Sequence, residues 1–232
     1  MLRINSLGVK FGSATIISDV SFQVSEKSCV SIIGANGAGK TTLLKTISGI
    51  VTSNAGEIEF EGINITGKRP DQIVKMGIAH CPEGRRVFPA MTVRENLELG
   101  GLVKRSETER LIGVCCELFP RLGERIDQLA GTMSGGEQQM LAIARALMSS
   151  PKIVMFDEPS LGLAPNIVEE VGRIILDLKA RGHTILLVEQ NAFMAMSISD
   201  YTYVLENGEI KKHGPSSELL NDDYIRQAYL GI

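Results

Sequence analysis

The sequence predicts an α/β fold with a parallel sheet at its centre, an antiparallel β edge layer and an inserted α-helical subdomain. Three observations carry that prediction. Short apolar, β-branched runs at 29–33, 153–156 and 184–188 alternate with stretches of helical spacing, which is the pattern of a parallel sheet. Alternating apolar and polar residues near the N-terminus read as antiparallel strands. Between about Thr92 and Ser150 the spacing is helical throughout.

Taken in order, 20–24 (V-S-F-Q-V) alternates as a strand, and 29–33 is apolar enough to be buried on both faces. A glycine-rich loop follows, then a helical run over 42–48 that stops at Gly49. Residues 57–65 read as a hairpin turning at Glu61-Gly62. The helical stretch holds three capping-box signals, Thr92 with Glu95, Ser106 with Glu109, and Ser134 with Glu137. Pro151 precedes the strand at 153–156. From 167 to 181, apolar residues at 167, 168, 171, 174, 175 and 178 form one helix face, closed by Gly182. After the strand at 184–188, a last hairpin at 201–211 turns at Asn207-Gly208.

Bulk composition narrows the function. A chain of 232 residues can bury a sizeable core as one domain. We therefore expect a single domain over 1–232, with a core formed by about 1–84 and 151–232 and a helical subdomain over about 85–150. A net charge of −3 argues against a general nucleic-acid binder. No apolar run reaches the roughly 20 residues a membrane span needs, and Met1 to Asn5 is not a signal peptide. The last hairpin ends near residue 211, so no sizeable C-terminal regulatory domain is expected. Cys29, Cys81, Cys115 and Cys116 lack disulfide or metal-ligand spacing, which fits a reducing compartment. His80, His183 and His213 are scattered, so no zinc site is expected.

Residues 34–41 read G-A-N-G-A-G-K-T, the Gly-x-x-x-x-Gly-Lys-[Ser/Thr] pattern of a nucleotide phosphate loop. The flanking strand and helix supply the context that the pattern requires, so the core reads as a P-loop NTPase. Backbone N–H groups of Gly34, Ala35, Asn36, Gly37, Ala38 and Gly39 would curl around phosphate, continuing into Lys40, Thr41 and Thr42 at the helix start. Lys40 would reach the β- and γ-phosphates, and the Thr41 hydroxyl would bind Mg²⁺. Asp157 and Glu158 close an apolar strand, where ligands of a parallel sheet bind. There Asp157 can hold Mg²⁺ and Glu158 can deprotonate an attacking water, although two acids at a strand end also occur with no such role. Ser134-Gly135-Gly136 begins a helix. A cap explains the serine, but two glycines in a first turn weaken a helix and let an anion approach its N–H groups.

These motifs together resemble the ATP-binding-cassette (ABC) ATPases, and the resemblance covers almost the whole chain. It implies that Ser134, Gly135 and Gly136 cap the γ-phosphate of ATP held by the opposite subunit, so that two subunits sandwich two nucleotides head to tail. It places Phe11 at the position whose ring stacks on adenine; an edge-strand phenylalanine with no ligand is the plainer alternative. It places Glu83 at the hinge position usually held by Gln, near Mg²⁺, and Gln190 where a histidine usually contacts the γ-phosphate. The loop at 160–163 has Leu163 where relatives often carry Asp. Lys40, Asp157 and Glu158 are retained, which favours an active ATPase over a weak regulatory subunit. The segments P-E-G-R-R-V-F-P, M-T-V-R-E-N-L and V-E-Q-N-A look like the ATPase subunits of bacterial branched-chain amino acid importers of the LivF type, with urea importers as close relatives. That implies ATP and Mg²⁺ as cofactors. It also implies a second, different ATPase subunit, two membrane permeases and, indirectly, an external solute-binding protein. The location implied is the cytoplasmic face of the bacterial membrane. Soluble DNA-repair or translation ATPases of this superfamily usually carry long coiled-coil insertions or a second cassette, which this chain lacks. The charged run at 104–110 reads as a solvated face.

Overall fold

The computed structural model describes residues 1–230, with side chains through Tyr229. Its N-terminal sheet is antiparallel, in the order β2 (Ala14–Val24), β1 (Leu2–Phe11), β4 (Ala55–Phe60), β5 (Ile63–Asn64). The run read as a strand at 20–24 is the second half of β2. The predicted turn at Glu61-Gly62 is present, with both residues at positive φ (51° and 78°). Only two residues of its outgoing strand, Ile63 and Asn64, pair with β4.

The second sheet has six strands. From one edge these are β10 (Glu209–Pro215), β9 (Tyr201–Glu206), β3 (Cys29–Ile33), β8 (Thr184–Glu189), β7 (Ile153–Asp157) and β6 (Ile78–Cys81). All neighbours are parallel except β10, which returns from β9 through Asn207-Gly208. Every residue of β3, β7 and β8 is buried, as strands covered on both faces must be.

Because successive side chains of a strand point to opposite faces, this sheet divides the interior in two. On one side Ile33, Val154, Phe156, Ile185 and Leu187 meet Leu97, Leu141, Ile143 and Leu147 of the helical segment and Val171 and Ile175 further on. On the other, Val30, Ile32, Met155, Leu186 and Val188 meet Leu43, Leu44 and Ile47 and the inner face of the antiparallel sheet. The helices are α1 (Lys40–Ile47), α2 (Pro70–Met76), α3 (Val93–Gly100), α4 (Thr108–Leu118), α5 (Pro120–Glu124), α6 (Gly135–Leu147), α7 (Pro165–Ala180) and α8 (Ala192–Ile198), with two short ones, α9 (Ser216–Leu219) and α10 (Asp223–Ile225), after β10. The apolar stripe read over 167–181 is the face of α7 that buries Val171, Ile175 and Leu178.

Two of the three expected capping boxes form. Thr92 caps α3 through Glu95 N–H (3.1 Å), and Glu95 accepts from Thr92 N–H (2.7 Å). Ser134 and Glu137 exchange the corresponding bonds at the start of α6 (3.3 and 2.9 Å). The box expected at Ser106 and Glu109 does not form. Ser106 lies within a 3₁₀ stretch, Gly101–Glu107, and α4 starts after it without a side-chain cap. The Glu109 carboxylate is taken instead by Arg94 of α3 (3.2 Å), a tertiary contact that local spacing cannot reveal.

Candidate functional site

Strand register levels the carboxyl ends of the central strands. Ile33 pairs with Glu189, and Asp157 pairs with Val188, so the loops after β3, β7 and β8 emerge side by side. The loop after β3 carries the phosphate-loop motif and runs into α1 through Gly39, whose φ is 107°. At its other end Gly34 is pressed onto the sheet. A Cβ there would lie 2.3 Å from the Leu205 carbonyl oxygen, so only glycine fits.

Lys40 is buried and its ammonium has three partners. It donates to the carbonyls of Gly34 (2.8 Å) and Ala35 (3.0 Å) and pairs with Glu158 Oε1 at 2.9 Å. Glu158 follows β7 with φ 46°, a left-handed conformation that costs a non-glycine residue about 1 kcal/mol or more. It is held there by its N–H, which donates to the Val188 carbonyl (2.8 Å). Thr41 Oγ1 donates to Asp157 Oδ1 at 3.0 Å. These groups border a cavity of about 460 Å³ lined by Asn36, Gly37, Gly39, Lys40, Thr41, Thr42, Glu83 and Glu158, with Ile16 and Leu161.

Asp157 sits behind Thr41 and is almost wholly buried. Burial pushes its carboxyl up to about 6; the Thr41 hydrogen bond opposes the rise, and the charges of Glu158 and Glu83 add to it. Its Oδ2 faces His80 Nε2 across 3.9 Å. Those two are the buried side-chain atoms without a hydrogen-bond partner among the described residues. Ser48 Oγ donates to the Leu44 carbonyl (2.7 Å), which leaves its lone pair for His80 Nδ1 at 3.1 Å. The proton of His80 therefore sits on Nδ1, and Nε2 presents a lone pair. Burial, with the Lys45 charge adding to it, lowers His80 to about 4, so the ring is neutral at pH 7. Thr41, Asp157 and Glu83 offer oxygen donors only, and Asp157 has a free lone-pair site, a donor set that fits a hard cation such as Mg²⁺.

Other sequence-singled residues stand apart from this cavity. Phe11 ends β1 half exposed and does not line it. Gln190 is exposed just past β8, with its main-chain N–H on Glu189 Oε2 (3.1 Å). Ser134 and Gly136 border a different cavity, with Phe119, Met140 and Ile167. Within this chain the space beside the two glycines is filled by side chains. A Cβ on Gly135 would meet Arg85 Nη1 at 2.7 Å, and one on Gly136 would meet Ile167 at 3.1 Å. Within one chain, their smallness leaves room for a guanidinium and an isoleucine at the start of α6.

Sequence reasoning missed Glu189, His80, Arg85, Asn96 and Arg145. Glu189 had a signal, because it continues the face of Ile185 and Leu187, which makes a carboxylate the next inward residue of a buried strand. Asn96 is fully buried and fastens the segment from Phe88 to Thr92. It accepts from Phe88 N–H (2.8 Å) and donates to the carbonyls of Phe88 (3.0 Å) and Thr92 (2.9 Å). Arg145 of α6 reaches the Arg86 carbonyl and lies 5.1 Å from the centre of the Phe88 ring.

A comparison with known proteins bears on the whole arrangement. The family described as ABC transporter matches residues 17–161. The chain belongs to the ABC transporter family. Over its full length this cassette is 48% identical to the high-affinity branched-chain amino acid transport ATP-binding protein BraG of Pseudomonas aeruginosa, all of which it covers. It is 38% identical to the probable branched-chain amino acid transport ATP-binding protein LivF of Archaeoglobus fulgidus, covering 99% of that protein. Its fold superposes with a TM-score of 0.87 on the ADP conformation of an ATP-binding cassette of an ABC transporter, at 29% identity, covering 100% of this chain and 99% of that one. ABC cassettes thus bind nucleotide on this fold, and the chain is an ABC ATPase. No helix among the described residues is long and apolar enough to cross a membrane.

Proposed function

We propose that this ABC ATPase powers a bacterial importer of branched-chain amino acids from the cytoplasmic face of the membrane. The cargo reading rests on the full-length identity to BraG together with the P-E-G-R-R-V-F-P segment, which contains the hinge from Glu83 to Phe88, and the V-E-Q-N-A segment. The chemistry rests on one observation, the buried Lys40–Glu158 pair at 2.9 Å on the wall of the phosphate-loop cavity.

In this reading the N–H groups of 34–42 and the positive end of α1 hold the β- and γ-phosphates of ATP. The incoming phosphate takes the Lys40 ammonium from Glu158. Glu158 then accepts a proton from the water that attacks the γ-phosphorus. As the new P–O bond forms, the bond to the β–γ bridging oxygen breaks and ADP leaves with inorganic phosphate. Thr41, Asp157 and Glu83 would hold Mg²⁺, which would supply neutralising charge to the phosphates. Gln190 donates to the γ-phosphate, and Phe11 stacks on adenine. Ser134, Gly135 and Gly136 act on the nucleotide of the opposite subunit, a second and different ATPase. A groove of about 410 Å³, lined by Phe88, Leu99, Leu102, Arg145 and Ala146, seats a helix of one of two membrane permeases. An external solute-binding protein acts through those permeases.

The test is Glu158→Gln in the purified transporter complex. Steady-state hydrolysis should be lost, ATP binding retained and a nucleotide-trapped dimer formed. Surviving hydrolysis would remove Glu158 as the base and favour a weak, regulatory nucleotide-binding role.

A further inference from the structure

Glu189 lies outside the roles assigned above, yet it is as fully enclosed as Asp157, 1% exposed at the end of β8. Among the described residues it joins no ion pair. Its charge is met by three main-chain N–H groups drawn from two loops. Oε1 accepts from Ser160 (2.9 Å), in the loop that follows Glu158. Oε2 accepts from Gln190 (3.1 Å) and Asn191 (3.2 Å), at the turn that follows β8. The Glu158 loop is therefore fastened to β8 twice, by Glu158 N–H on the Val188 carbonyl and by Ser160 N–H on Glu189. Glu158 has φ 46°, and a conformation of that kind persists only where its surroundings over-determine it.

We propose that Glu189 is a positioning residue that joins the Glu158–Ser160 loop and the Gln190–Asn191 turn into one rigid unit. The acid that takes the proton and the amide that touches the γ-phosphate then keep a fixed separation. A carboxylate suits this task because it offers acceptors in both directions. A glutamine in its place would turn an N–H₂ toward one set of N–H donors and break that arm. The proposal rests on the reading of Glu158 and Gln190 given above.

The experiment compares Glu189→Gln, Glu189→Asp, Gln190→Ala and the double variant Glu189→Gln/Gln190→Ala in the assembled transporter. Steady-state ATPase kinetics and thermal melting are both recorded. For Glu189→Gln, kcat should fall about 10- to 100-fold, the scale of a small misplacement of reacting groups, while KM for ATP stays within about twofold. Glu189→Asp keeps the charge but is one methylene short, so it should fold and still lose turnover. The double variant should be no slower than the slower single one, because both changes undo the same placement. Wild-type turnover in Glu189→Gln overturns the proposal. So do losses that multiply in the double variant, or kcat falling only in step with melting temperature and nucleotide binding. If Glu158→Gln still hydrolyses ATP, the reading of the site fails. If Glu158→Gln is inactive and Glu189→Gln is normal, the proposal alone fails.

Discussion

Replacing Asp157 with asparagine should stabilise the nucleotide-free protein while weakening its hold on Mg²⁺. Asp157 is about 1% exposed, and burial pushes its carboxyl up to about 6 from its ordinary 3.8. A raised pKa means that the folded state disfavours the charge. Its contribution to stability is therefore fullest below 3.8 and is lost as pH rises through about 6. At pH 7 the ionised group works against the fold by about 3 kcal/mol, the free-energy equivalent of that rise. Asparagine keeps an oxygen for Thr41 and turns an N–H₂ toward the lone pair of His80 Nε2, which has no partner. For a chain of this size, at about 2–4 °C per kcal/mol, the gain corresponds to roughly 6–12 °C in melting temperature. Calorimetry without nucleotide from pH 4.5 to 7.5 measures it. The gap between variant and wild type should be small at pH 4.5 and open through pH 6. With Mg-ATP the order should reverse, because the wild type gains more from binding. A variant that melts at or below wild type at pH 7, or a gap independent of pH, would refute the reasoning.

Two further substitutions probe the scaffold. Gly34→Ala places a methyl 2.3 Å from the Leu205 carbonyl. It should lose at least about tenfold in ATP affinity and destabilise the fold by about 1–3 kcal/mol, read by nucleotide titration and melting. Wild-type affinity would show that the loop relaxes freely. Asn96→Ala strips the hinge of bonds to Phe88 N–H, Phe88 O and Thr92 O. Urea unfolding should show a loss of about 2–4 kcal/mol, since the buried groups left behind are costly unpaired. A loss under about 0.5 kcal/mol would place the hinge's support elsewhere.

What the sequence disclosed follows from how far each signal reaches. The phosphate loop, the turns at Glu61-Gly62 and Asn207-Gly208, and the caps at Thr92 and Ser134 are contiguous features governed by local backbone chemistry. Asp157 and Glu158 were legible because strand ends of a parallel sheet are where ligands bind. Glu189, His80 and Asn96 act through partners 29, 32 and 8 residues away, and residue spacing carries no record of such pairings. Ser106 and Glu109 show the converse, a valid local signal overridden when Arg94 claimed the carboxylate. Gly135 and Gly136 stood out as sites of close approach, but only coordinates show that Arg85 and Ile167 are their neighbours within the chain.

The division of the interior by the central sheet has a consequence for precision. Alternate residues of β7 and β8 feed two separate apolar compartments, so sliding either strand by one residue would exchange the contents of both at once. An edge strand with one wet face pays that penalty only once. These strands are thus pinned lengthwise by two independent sets of neighbours, and the acids at their tips inherit the same longitudinal accuracy.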